Sequence, residues 1–196
     1  MFARGFKTWC ETISLQHRRT LKLRPIDPLD PQAVAKSLGV RIHGVDEVPD
    51  LDPRAIQTLL HDDPDSWSAV TITNGRQSVI IFNSSHRGGR PASDLMHELA
   101  HVIIGHEPAR VDVTEDGSLI LNTYNRDQED EANWLAGCLL LPRDALLWIK
   151  RQGLEPREAA KQYGVSVAML QYRLNVSGVE QQLQRTRASV RKRTEA

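Results

Sequence analysis

The sequence predicts an α+β protein, a small antiparallel sheet packed with amphipathic helices. Three observations predict it. The stretch WSAVTITNGRQSVIIFN (67–83) has strand-like character on both sides of Asn74-Gly75, a pair that accepts the positive backbone angles of a tight hairpin turn. A second hairpin is expected where VDVT and LILN flank EDGS, turned at Asp116 and Gly117. Around these segments, apolar residues recur at spacings of three and four, the period of a helix with one buried face.

Taken in order, residues 1–20 read as a helix whose stripe is Phe2, Phe6, Trp9 and Ile13, packed on the main domain. The cluster RPIDPLDP (24–31) breaks the chain before a short helix, DPQAVAKSLGV, that stops at Gly39. Asp52 as N-cap and Pro53 in the first helical position start another, DPRAIQTLLHDD. After the first hairpin, SHRGGRPAS (85–93) is a polar, glycine-rich connection, with Ser93 expected to cap the helix that follows. Past the second hairpin come DQEDEANWLAGCLL, ending before Pro142, a helix from about Arg143 to Gln152, and the short segments PREAAKQYG and SVAMLQYRLN. A polar, basic tail closes the chain.

Lys plus Arg equals Asp plus Glu at 25 each, so no global charge points to nucleic acid or a membrane surface. Basic residues gather at the ends, from Arg4 to Arg24 and from Arg185 to Arg193, around a mostly acidic stretch, Asp27 to Asp65; both read as solvated faces. Cys10 and Cys138 are far apart and lack a CxxC pattern, which argues against a disulfide framework and a cysteine metal site and suits a reducing cytosol. Nothing reaches the length of a membrane span, and a cytoplasmic protein is expected.

The chemistry lies in DLMHELAHVIIGH (94–106). In a helix His97 and His101 stand one turn apart on one face and can aim imidazole nitrogens at one Zn(2+) ion. Glu98 falls beside that ion, placed to take a proton from water activated by the metal and hand it to a leaving amine. A catalytic site needs a third protein ligand. A third histidine in the HExxHxxGxxH register is absent, because position 107 is Glu107. Glu129 is the preferred third ligand, with Glu131 as runner-up. Asn133, one turn after Glu129, would orient a histidine ligand. Ala132 and Ala136 would let the two helices approach closely. His106 reads as a helix-end residue suited to the dipole. Tyr124 is a candidate to stabilise an oxyanion, and Asn83, Ser84 and His86 are candidate substrate contacts near the cleft.

These residues resemble the ImmA/IrrE metallo-endopeptidases. The resemblance covers almost the full length: RGFKTWCE, LDPQAVAKSLGV, WSAVTIT, HELAH at 97–101, EDEANWLAGCLLLP at 129–142, and EAAKQYGVSVAMLQYRLNVSG. It implies a gluzincin-like fold, a short sheet with two zinc helices, followed by a helix-turn-helix-like piece. The corresponding division is 1–150 for the zinc metallopeptidase domain with its N-terminal helices, 151–178 for the helical segment and 179–196 for a flexible tail. It further implies one zinc on His97, His101 and Glu129, Glu98 as general base, and a single inactivating cut in a helix-turn-helix repressor, in a stress-response, mobile-element or toxin and antitoxin setting. The chain stops soon after the helical segment, so the sensory domain of some relatives is not expected. GVSVAMLQYRLN has the turn glycine of a helix-turn-helix, but its second helix offers only Arg173 with Gln171, so packing or substrate docking is preferred to DNA binding. The substrate strand is expected to pair along a sheet edge near Ile81 to Ser84. A non-hydrolytic regulator that binds a repressor or DNA, with zinc as a staple, is the alternative.

Overall fold

The computed structural model describes residues 2–74, 77–106, 110–113, 119–122 and 125–194. The fold is α+β. A three-stranded mixed sheet and a two-stranded ribbon sit among nine α-helices of the described residues. Among those residues no helix is long and apolar enough to cross a membrane.

Helix α1 (Phe6–Thr20) leads to α2 (Pro31–Leu38), which Asp30 caps by accepting from Gln32 N and Gly39 ends in the left-handed conformation. Strand β1 (Arg41–Gly44) follows, unpredicted. Asp52 caps α3 (Pro53–Gln57), with Pro53 at its start, as expected. The helix then widens into a π-type turn over Thr58–Asp62, where the Leu59 carbonyl accepts from Trp67 Nε1 at 2.9 Å.

Strands β2 (Ala69–Asn74) and β3 (Gln77–Phe82) form the expected hairpin. Asn74, expected in the turn, instead pairs with Gln77 and ends the strand; Gly75 lies outside the described residues. A Thr73–Ser78 hydroxyl bond of 3.1 Å across the strands favours this register. The strand order is β1-β3-β2, with β1 parallel to β3. This corrects the expected substrate edge. Ile81 and Phe82 belong to the central strand and are paired on both sides, to His43 and Gly44 and to Val70 and Ala69. Strand β2 is an edge.

Helix α4 (Arg90–Ile104) carries the HELAH motif. It begins before Ser93, which instead donates to the Gly89 carbonyl at 3.1 Å, because Pro91 fits the first turn, where an N–H is not needed. Strands β4 (Arg110–Val113) and β5 (Leu119–Asn122) make the second hairpin. Asn125 then caps α5 (Arg126–Leu140) by accepting from Asp127 and Gln128 N. Helices α6 (Arg143–Gln152), α7 (Pro156–Gln162) and α8 (Val167–Ser177) follow, and α9 (Val179–Thr194) is helical where a tail was expected. Val179, fully buried, anchors its first turn.

One hydrophobic cluster runs from Cys10 through α4, α5 and α6 to Val179, so the 151–178 segment packs on the same core as the strands and the helices before it. Helix α1 packs through most of its predicted stripe, with Phe2, Phe6 and Ile13 partly buried against the core, and adds a buried ridge that the apolar spacing does not show. Trp9 is 38% exposed, while the ridge against α5 is Cys10, Ser14 and Arg18. The physical reason is the C-terminal end of α5, whose last carbonyls have no partner within the helix. Ser14 Oγ donates to Cys138 O at 2.7 Å, Arg18 Nη2 to Leu139 O at 2.9 Å, and Arg173 Nε of α8 to Leu141 O at 3.1 Å. Arg18 is therefore no solvated basic residue; burial pulls its pKa down to about 10, still charged at neutrality. Arg173, also fully buried, pairs with Glu11 at 2.8 Å. Cys10 and Cys138 are buried free thiols.

Candidate metal centre

Helices α4 and α5 lie against one another, with Leu99 and Ala100 of the first and Ala132 and Ala136 of the second buried. That packing brings the first turn of α5 opposite the middle of α4. His97 Nε2 and His101 Nε2 are 3.0 Å apart. Glu129 Oε2 lies 3.2 Å from His97 Nε2, and Glu129 Oε1 lies 3.4 Å from His101 Nε2. Two imidazoles and a carboxylate thus converge, and among the described residues they form the group able to hold a metal ion. The spacings fit a small tetrahedral ion, since bonds of about 2.0–2.1 Å put neighbouring donors about 3.3 Å apart. Glu131, the runner-up, stands outside this cluster; its Oε2 faces His106 Nε2 at 3.2 Å.

Asn133 Oδ1 is 3.1 Å from His97 Nδ1. The amide oxygen can accept a proton held there, leaving the Nε2 lone pair free toward the other donors. Burial pulls His101 down to about 4, with the neighbouring His97 and His106 adding to the effect, so its ring is neutral and able to bind a metal at ordinary pH.

Glu98 points to the sheet side of the cluster. Its Oε2 accepts from the Thr71 hydroxyl of β2 at 2.5 Å. Burial raises its pKa; the Thr71 bond and His97 oppose that rise, and Glu129 and Asp94 reinforce it. A cavity of about 330 Å³ opens here, with His97, Glu98 and Asn133 on its walls beside Ser68, Ala69 at the start of β2 and Met169 of α8.

The other candidates fare differently. Asn83 is 1% exposed, and its amide is committed to the loop, donating to Pro64 O at 2.7 Å and accepting from Ser85 N at 3.0 Å. His86 is buried too, with both ring nitrogens facing acceptors, Asp94 Oδ2 at 2.9 Å and Pro64 O at 3.2 Å. Ser84 donates to Asp46 at 2.5 Å. None of the three lines the cavity; they fasten the loop between β3 and α4. Tyr124 lies outside the described residues. Sequence reasoning missed Thr71, which only the pairing of β2 brings to Glu98, and the contacts of His106.

The profile of Peptidase_M78, the IrrE N-terminal-like domain, matches residues 54–175, a span holding all three donors and Glu98. The chain belongs to this family. The M78 assignment agrees with the ImmA/IrrE resemblance of the motifs. Among solved structures, a Mycobacterium tuberculosis transcriptional regulator is similar in fold, with a TM-score of 0.52 at 16% identity over 88% of this chain and 47% of that one. The M78 chain thus spans about half the length of that regulator. A search of curated proteins finds no match.

Proposed function

We propose that the chain is a zinc-dependent endopeptidase that inactivates a helix-turn-helix repressor by a single cut. His97, His101 and Glu129 hold one zinc per chain, and Asn133 keeps His97 in its ligating tautomer. The observation that carries the reading is Glu98, a carboxylate on the cavity wall that stands beside the donor cluster without joining it. A structural metal site has no use for such a group. Zinc, when bound, supplies Lewis acidity toward a scissile carbonyl and toward water. Glu98 takes the proton from that water and passes it to the leaving amine, a task suited by burial that lifts its pKa toward neutrality.

The substrate adds as a strand to the open edge of β2, next to Glu98, where Val70 and Ile72 are 40% and 52% exposed. Strand addition demands an extended segment, so the bond cut lies in a loop or linker of the partner. The cleft continues through Ser93 and Met169 to Tyr172 of α8. The exposed face of α8, Val167, Ala168, Gln171, Tyr172 and Asn175, is uncharged, and Arg173 is buried. Phosphate contact needs cations, so this face supports protein docking over DNA binding.

A non-hydrolytic regulator is the second reading, prompted by the fold shared with a transcriptional regulator. Glu98→Gln separates the two. Co-expressed with a helix-turn-helix repressor from the neighbouring reading frame, the protein should cut it, and Glu98→Gln should slow the cut by about 10²–10⁴-fold with zinc retained. Persistence of the cut in that variant would defeat the peptidase reading.

A further inference from the structure

Resting on the metal-centre reading above, we infer that His106 and Glu131 form a positioning pair that sets the tautomer and orientation of His101. Gly105 ends α4 in the left-handed conformation (φ 80°), and this turn folds the chain back so that His106 N donates to His101 O at 3.0 Å. The His106 ring, its side chain 6% exposed, is thereby laid beside the ligand: its Nδ1 is 2.9 Å from His101 Nδ1, and its Nε2 is 3.2 Å from Glu131 Oε2.

With both imidazoles neutral and the carboxylate ionised, one proton arrangement satisfies all three groups. An ionised carboxylate accepts and cannot donate, so Glu131 requires the proton of neutral His106 on Nε2. His106 Nδ1 is then a bare lone pair, and the facing Nδ1 of His101 must carry a proton to donate to it. His101 Nε2 is left without one, and that is the atom turned toward His97 and Glu129. The opposite arrangement puts a lone pair against the carboxylate and a proton on the ligating nitrogen. Glu131 therefore decides which nitrogen of a residue it never touches is free to bind metal. The pair does for the second histidine what Asn133 does for the first, with one difference: Asn133 presents its amide oxygen directly, whereas the accepting lone pair of His106 is set by Glu131.

The experiment compares the metal-free and zinc-loaded full chain for the wild type, Glu131→Gln, His106→Phe, His106→Gln and His101→Ala. Zinc affinity is read by chelator competition, and the ring protons are read in the metal-free proteins by long-range ¹H–¹⁵N spectra. The wild type should show His101 protonated on Nδ1 and His106 on Nε2, and His101→Ala should lose tight zinc binding. Glu131→Gln and His106→Phe should weaken zinc by about 10–100-fold, whereas His106→Gln, whose amide can accept from His101 and donate to Glu131, should keep most of the affinity. Wild-type affinity in Glu131→Gln overturns the inference, as does a His106→Gln as weak as His106→Phe, or a wild-type His101 protonated on Nε2. If His106→Phe fails to fold, Glu131→Gln and His106→Gln decide it. A wild type that binds no zinc would instead bring down the metal-centre reading, while the ring spectra still test the pair.

Discussion

Gly89→Ala is the sharpest test of how the motif helix meets the C-terminal helices. Gly89 precedes α4 with φ −85°, an angle any residue adopts, so the substitution adds no backbone strain. A Cβ there would stand 2.3 Å from the Val165 carbonyl carbon and 2.5 Å from Ser166 N, both backbone atoms in the turn before α8. Restoring ordinary contact requires the two backbones to part by about 1 Å, an overpacking that costs about 3 kcal/mol, the upper part of its range, because backbone cannot rotate away. Stiffening the unfolded chain returns only about 0.4–1 kcal/mol and does not offset it. A net loss of about 2–3 kcal/mol corresponds to a Tm lower by roughly 4–12 °C for a chain of this size. Urea denaturation measures the loss, and hydrogen exchange over 165–172 locates it. Gly88→Ala is the control: φ 67° with nothing within 4 Å means strain of about 1–2 kcal/mol and no displacement of α8. A Gly89→Ala protein as stable as the wild type, with unchanged exchange in α8, would refute the packing argument.

Three more outcomes are expected. Glu11→Gln removes the anion facing the buried Arg173 guanidinium, and equilibrium unfolding should show a loss of about 3 kcal/mol that added salt does not abolish; a loss under about 1 kcal/mol would mean that the pair is not energetically buried. Thr71→Val removes the hydroxyl bond that favours the Glu98 carboxylate, so the acid limb of the cleavage pH profile should move to higher pH; an unmoved limb would show that the bond does not act on the base. In the metal-free protein, the unfolded chain takes a proton on residue 101 near 6.5, whereas the folded chain holds out to about 4. The folded state therefore binds fewer protons between those values, and Tm should fall as pH is lowered through that window. His101→Gln should flatten this slope; an identical slope would assign it to other groups.

The candidate donor set was legible because a helix writes it locally: His97 and His101 are four apart, as are Glu129 and Asn133, and each spacing encodes a shared face. Which of Glu129 and Glu131 turns inward depends on the rotation of α5 against α4, so the preference for Glu129 needed the helix pair to be assembled. The role of His106 was hidden for the same reason, compounded by a left-handed turn at Gly105 that reverses the chain beyond the helical period. Strand β1 left no local trace, since four residues paired in parallel with a strand far along the chain depend wholly on that distant partner. The apolar spacing of α1 found Phe2, Phe6 and Ile13 but passed over the fully buried ridge beside them, because that spacing looks for a greasy stripe. The docking surface here wants donors: Ser14 and Arg18 answer the bare carbonyls of α5.

That clasp has a consequence for any attempt to trim or graft the domain. The family match begins at residue 54, yet Glu11, Ser14 and Arg18, far upstream of it, bond to Arg173, Cys138 and Leu139. Helix α5 carries Glu129 at one end and is held from the first helix at the other. A fragment cut to the matched stretch would keep all three candidate metal donors and lose the splint that aims one of them, so the portable unit of this protein starts with α1.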